Sequence, residues 1–215
     1  VYEPELVVLV GKYINPRMDV IDVGANVGFY SVLFSKMISN NNKVLAVEPI
    51  PEAINYFNKN IHNNQCNKNV ILFEGVASLE KGVMNINTIP GNCEYSSIGD
   101  IVHSATKEME SKTIEVKSNS IDNLVFQNDL KPGFIKIDTE GAEYSVLTGS
   151  EKTLVEYKPV ILFELDDKMM KEHDSSSNDV VKLLELTGYK LLNVYDSNLV
   201  IKYPFSGEVL AVPLN

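Results

Sequence analysis

Residues 20–31 read V-I-D-V-G-A-N-V-G-F-Y-S. An apolar run holding one acid, Asp22, stops at Gly24; Gly28 follows four positions on, and apolar spacing then resumes. A buried strand that hands its chain to a helix through a glycine turn gives this pattern. Glycine lacks a Cβ, so the turn can be tight and a ligand can lie directly on the backbone. In an open parallel sheet, ligands bind beyond the carboxyl ends of the strands, where strand order reverses. The turn is therefore a candidate binding site as well as a junction.

Outward from this turn the same alternation continues. Apolar runs at 19–23, 43–47 (44–48 with its terminal acid), 70–73, 134–138, 160–165, 190–195 and 208–212 read as strands. Helical spacing occupies 29–38, 51–63, 142–156 and 177–187, the last stopped by Gly188. Strands alternating with helices imply an α/β fold with a parallel sheet covered on both faces. Two successive strands near the C-terminus, with no helix between them, place an antiparallel pair at that end. Residues 88–117 break the rhythm: they are polar, turn-rich and poor in apolar periodicity, as an irregular insert in one domain over 1–215 would be.

Size and composition bound the function. The chain has 215 residues, enough for one sizeable core, with 44% hydrophobic and 22% charged residues. Its formal net charge of -10 repels phosphate backbones and anionic membranes, so nucleic acid is not an expected partner. No apolar stretch approaches the length of a membrane span, and the first residues carry no basic-then-apolar leader, although a removed segment could precede Val1. Cys66 and Cys93 are too few for a disulfide framework and lack metal-site spacing, which suits reduced thiols in a cytoplasmic protein.

The turn reads Gly24-x-Asn26-x-Gly28, which is neither the G-x-G-x-x-G of a dinucleotide site nor a P-loop. Glu48 ends the second strand, where an acid can accept both hydroxyls of a ribose. Asp22 puts negative charge beside the turn, which suits a cationic amino group or a sulfonium better than a pyrophosphate. Together they describe an adenosine-type site.

V-I-D-V-G-A-N-V-G-F-Y-S, V-E-P-I-P-E-A-I and above all I-K-I-D-T-E-G-A-E-Y-S-V-L resemble the FkbM-type methyltransferases, and the likeness extends from Y-E-P-E at residues 2–5 to the closing V-L-A-V-P. The resemblance implies a Rossmann-like class I methyltransferase, with a mostly parallel seven-stranded sheet and an antiparallel C-terminal strand. It also implies S-adenosyl-L-methionine as cofactor and O-methylation of a hydroxyl on a carbohydrate or small metabolite. By position, Asp22, Gly24, Asn26 and Gly28 would surround the methionine part of the cofactor and Glu48 would hold its ribose. The segment Glu74-Gly75-Val76-Ala77 would line the adenine, with Glu74 and Val76 as contacts. Val76 stands where many relatives have Asp, and Asn15-Pro16-Arg17-Met18 replaces the usual glycine-containing approach to the first strand.

Methyl transfer from a sulfonium needs in-line alignment and a base for the acceptor proton. Asp138, at the end of its strand, is the first candidate for the base and also faces the cofactor. Glu164, in L-F-E-L, and Glu140 are the other catalytic candidates, while Glu140 and Glu143 also suit a helix N-terminus as plain charge. His62, His103 and His173 read as surface residues, the last two close enough in sequence to loops to cover an acceptor. The acids suit a hard cation chemically, but they show no ligand spacing and no metal is assigned. Two further readings stay open. One is a nucleotide-cofactor oxidoreductase, opposed by the missing glycine fingerprint. The other is a non-catalytic adenosyl-ligand-binding module, disfavoured by the strand-end acids.

Overall fold

The computed structural model describes residues 3–89, 111–196, 201 and 203–214, and the backbone of 92–97. The first helix, α1 (Pro4–Tyr13), precedes β1 (Asp19–Val23), α2 (Phe29–Met37), β2 (Val44–Glu48), α3 (Pro51–Asn63) and β3 (Val70–Glu74). A side unit follows: β4 (Val76–Ala77), β5 (Gly82–Ile89), β6 (Asn92–Ser97) and β7 (Lys112–Asn119). The chain returns through α4 (Ile121–Gln127), β8 (Pro132–Ile137), α5 (Glu143–Thr148), α6 (Glu151–Tyr157), β9 (Val160–Asp166) and α7 (Asp167–Lys171). It closes with α8 (Ser177–Leu186), β10 (Tyr189–Asn193) and β11 (Ser206–Pro213).

Among the described residues the main sheet has seven strands in the order β10-β11-β9-β8-β1-β2-β3. β1 pairs in parallel with β2 and β8, and β8 with β9; β11 runs antiparallel to both β9 and β10. The sheet is therefore the expected one, and its antiparallel strand sits between β9 and β10 rather than at the rim. Sequence order reverses at β1, with β2 on one side and β8 on the other, so a crevice opens beyond their carboxyl ends.

β1 and β2 are buried at every position, because helices cover both faces. Leu6 and Val10 of α1 and Tyr30 and Phe34 of α2 pack on Val20, Phe134, Leu162 and Leu210. The opposite face packs Ile21, Ile135, Ile137 and Phe163 against Leu124, Val146, Leu154 and Leu184 from α4, α5, α6 and α8.

Two expectations change here. The helix at 142–156 is two helices, α5 and α6, parted at Gly149 and Ser150. Gly149 passes so close to Ser78 that a Cβ there would lie 2.1 Å from the Ser78 carbonyl oxygen. The described parts of 88–117 are not irregular: they contribute to β5, β6 and β7, in a second sheet ordered β4-β7-β5-β6. Residues 98–110, with His103, lie outside the described residues, as does the side chain of Cys93.

Candidate active site

The glycine turn is built by close approach. Gly24 has φ +75°, and a Cβ on it would sit 1.8 Å from the Asp138 carbonyl oxygen. Gly28 has φ +85° and N-caps α2, and a Cβ there would lie 2.8 Å from the Phe57 ring. Asn26, between them, takes the left-handed conformation that asparagine tolerates. The backbone N–H groups of Gly24 and Ala25 both donate to the Val47 carbonyl, each at 3.0 Å, which fastens the turn to the end of β2.

Glu48 completes that fastening. Its Oε2 accepts the Asn26 N–H at 2.7 Å and its Oε1 accepts the Ile50 N–H at 2.9 Å. Burial pushes its pKa up to about 7 against these two bonds, which favour the charged form. Asp22 is fully buried beneath the turn; its Oδ2 accepts the Ser31 hydroxyl at 2.6 Å, and Oδ1 has no hydrogen-bond partner among the described residues. Burial pushes the Asp22 carboxyl up, and Lys136 opposes that shift.

Asp138 stands where this turn meets a second feature, a shallow cleft open to solvent. Glu3, Lys136, Asp138, Leu162, Glu164 and Glu208 line it. Lys136 is the register partner of Asp22 on β1 and of Leu162 on β9, and its Nζ lies 2.9 Å from Asp138 Oδ2. The ammonium also lies 4.8 Å from the centroid of the Tyr30 ring, whose hydroxyl donates to Glu3 at 2.6 Å. Glu164 and Glu208 face each other across β9 and β11, like charges in direct register. Burial, then Glu164, push Glu208 up to about 7, while burial, then Asp138, raise Glu164.

The T-E-G-A-E turn follows β8. Glu143 braces it: Oε1 accepts from the N–H and hydroxyl of Thr139 at 3.1 and 2.8 Å and from the Gly141 N–H at 3.3 Å. Glu143 is buried, and burial raises its pKa. Glu140, with φ +53°, is pushed up to about 7 by burial and by Asp138 and Glu164. His173 lies against this turn, its Cδ2 2.8 Å from where a Gly141 Cβ would be. Burial lowers its pKa. His62 is exposed on α3.

Asp22, Gly24, Asn26, Gly28, Glu48 and Asp138 thus converge on the crevice, and Asp138, Glu140 and Glu164 lie within electrostatic reach of one another. Glu74 lies beside this group, in register with Glu48 across β2 and β3, and Val76 follows two positions on. Glu74 is exposed at the end of β3, and Val76 is buried with Ile50, Ala53, Ile86 and Val116 under the second sheet. Lys136, Glu208 and Glu3 are lining residues that sequence reasoning passed over. The signal for Lys136 was available: a charge inside I-K-I-D, in a strand read as buried, needs a partner.

These shifts set a pH dependence. Glu48, Glu140 and Glu208, pushed up to about 7 from 4.5, bind a proton more tightly folded than unfolded. Their contribution to stability is full below pH 4.5, is lost as pH rises through about 7, and is level above. The lowered pKa of His173 acts in the opposite sense, as one imidazole against three carboxyls. The melting temperature should rise from pH 8 to pH 5.5, and Glu48→Gln should flatten part of that rise. A steady fall over the same interval contradicts the assignment.

A family model described as the methyltransferase FkbM domain matches residues 22–191. The chain belongs to the FkbM methyltransferase family. Its fold is shared with solved methyltransferases. The structure of methyltransferase FkbM from Methylobacillus flagellatus matches with a TM-score of 0.60 at 16% identity, over 93% of this chain and 44% of that one. An O-methyltransferase from Bacillus cereus, solved in complex with SAH, matches with a TM-score of 0.54 at 13% identity, over 100% of this chain and 83% of that one. A precorrin-6y C5,15-methyltransferase from Geobacter metallireducens matches with a TM-score of 0.51 at 16% identity, over 98% and 86%. This FkbM chain therefore spans less than half the length of the Methylobacillus protein. No curated protein matches it in sequence. Among the described residues, no helix is long and apolar enough to cross a membrane.

Proposed function

We propose that this chain is an S-adenosylmethionine-dependent O-methyltransferase acting on a hydroxyl of a carbohydrate or small metabolite. The observation that carries the reading is the place of Asp138, whose backbone closes against Gly24 while its carboxylate lines the acidic cleft. The binding half and the reacting half of the site thus share one residue.

The crevice fits the cofactor. The positive-φ turn at Gly24–Gly28 keeps Gly24 and Asn26 partly open to solvent at the carboxyl end of β1. Glu48 oxygens each accept one N–H and retain lone pairs for the hydroxyls of a ribose. Oδ1 of Asp22, which accepts no hydrogen bond from the described residues, suits an ammonium donor. Glu74 and Val76 stand at the adenine end, with Val76 acting through backbone, since its side chain is buried elsewhere. When bound, S-adenosylmethionine supplies a methyl group already activated on a sulfonium.

Asp138 would take the proton of the acceptor hydroxyl as that oxygen receives the methyl group. Glu164 and Glu140 keep the acceptor in place by accepting from its other hydroxyls. An acidic wall of this kind suits a neutral, hydroxyl-rich molecule and repels phosphate.

Calorimetry tests the cofactor. S-adenosylmethionine and S-adenosylhomocysteine should bind, and NAD should not. Glu48→Ala removes a charged acceptor and should weaken both by about 1.5–3 kcal/mol, or ten- to a hundredfold. Equal affinity for NAD, or no loss in the variant, would sink the reading.

A further inference from the structure

Lys136 sits at the centre of the cleft without a role in the chemistry so far. It is buried in the middle of β8 between Ile135 and Ile137, where an apolar residue would avoid the cost of desolvating an ammonium. The fold places partners around it on every side. Asp22 faces it from β1, Glu164 from β9 and Glu208 from β11. Tyr30 of α2 lies beneath the ammonium, with Glu3 on the Tyr30 hydroxyl. Glu140 and Glu48 reach Asp138 electrostatically from the turn and from β2. Of all these groups, Asp138 is the one Lys136 touches as an ion pair, and only through Oδ2.

We propose that Lys136 is the positioning residue of this site: its buried ammonium grips Oδ2 of Asp138 and so presents Oδ1 to the acceptor hydroxyl. This rests on the reading of Asp138 as the base. Oδ1 accepts no hydrogen bond from the described residues, whereas Oδ2 is engaged at 2.9 Å. The asymmetry is useful. The Asp138 side chain is half-exposed and would otherwise rotate freely, while Lys136 is fixed by the strand and by the Tyr30 face. The grip also keeps Lys136 charged: burial pulls its pKa down, and Asp138 and then Asp22 outweigh that and raise it. The pair works only while both members are ionised.

The ionisation of Lys136 reports the grip without any acceptor. In the full chain, with lysine carbon-13 at Cε and S-adenosylhomocysteine added, the Lys136 resonance is assigned by its loss in Lys136→Arg. Its titration midpoint should fall in Asp138→Asn, by on the order of tenfold in proton affinity or more. It should not move in Glu185→Gln, a change on α8 far from the cleft. Asp138 is half-exposed, so this variant folds even where Lys136→Met does not. The crystal structure of Lys136→Arg should keep the Asp138 carboxylate in place. A midpoint unmoved by Asp138→Asn in protein that binds S-adenosylhomocysteine overturns the inference alone. Failure of calorimetry to detect that ligand in the parent instead contradicts the cofactor reading.

Discussion

Asp138→Asn should lower single-turnover methyl transfer by roughly 10²–10⁴-fold, the loss that follows removal of a general base. The substitution keeps shape and removes charge. Asparagine still offers an oxygen to Lys136, and Asp22 remains as a counter-charge, so the melting temperature should move little. Cofactor affinity should also hold, because the Asp138 carbonyl that abuts Gly24 belongs to the backbone. Glu164→Gln should cost less in rate, since in the proposed function Glu164 holds the acceptor without taking its proton. A rate that stays parental in Asp138→Asn removes the base assignment. A rate that falls in step with stability marks a structural acid instead.

Gly24→Ala should be the most destabilising single methyl group in the crevice. The new Cβ would lie 1.8 Å from the Asp138 carbonyl oxygen, and the backbone holds φ +75°. Neither neighbour can give way, because Asp138 N–H donates to Val23 at 3.1 Å and Gly24 N–H donates to Val47 at 3.0 Å. The ends of β1 and β8 must part, at about 3–5 kcal/mol. In a chain of this size the melting temperature should fall by about 10 °C. Gly11→Ala provides the contrast: on α1, its Cβ would meet only Met37 Cε at 3.8 Å, and helix propensity favours alanine. Equal melting temperatures for the two variants would contradict the packing described.

The sheet and the glycine turn were legible because burial on both faces writes itself as unbroken apolar runs, as in β1 and β2. What escaped has separate physical causes. The break between α5 and α6 comes from the approach of Gly149 to Ser78, 71 positions away in the chain, and local periodicity carries no trace of it. β7 was hidden by its half-exposed face: K-T-I-E-V-K-S alternates with period two, but its polar positions resemble a loop. α1 lies outside the elements read from the sequence, and its place on Val20 and Phe134 is a tertiary fact. Within the site, Asp22, Gly24, Asn26, Gly28 and Glu48 could be singled out because they cluster around one turn. Glu208 could not, because its register with Glu164 depends on β11 entering the sheet between β9 and β10. Lys136 was visible as a charge among isoleucines, yet only the pairing of β1 with β8 sets it opposite Asp22.

The most direct measurement is a crystal structure of this chain with S-adenosylhomocysteine. The ribose hydroxyls should lie on Glu48, the homocysteine amino group near Asp22 Oδ1, and the thioether sulfur should face the cleft beside Asp138. A ligand seated away from the Gly24–Gly28 turn, or one that leaves Glu48 untouched, contradicts the account.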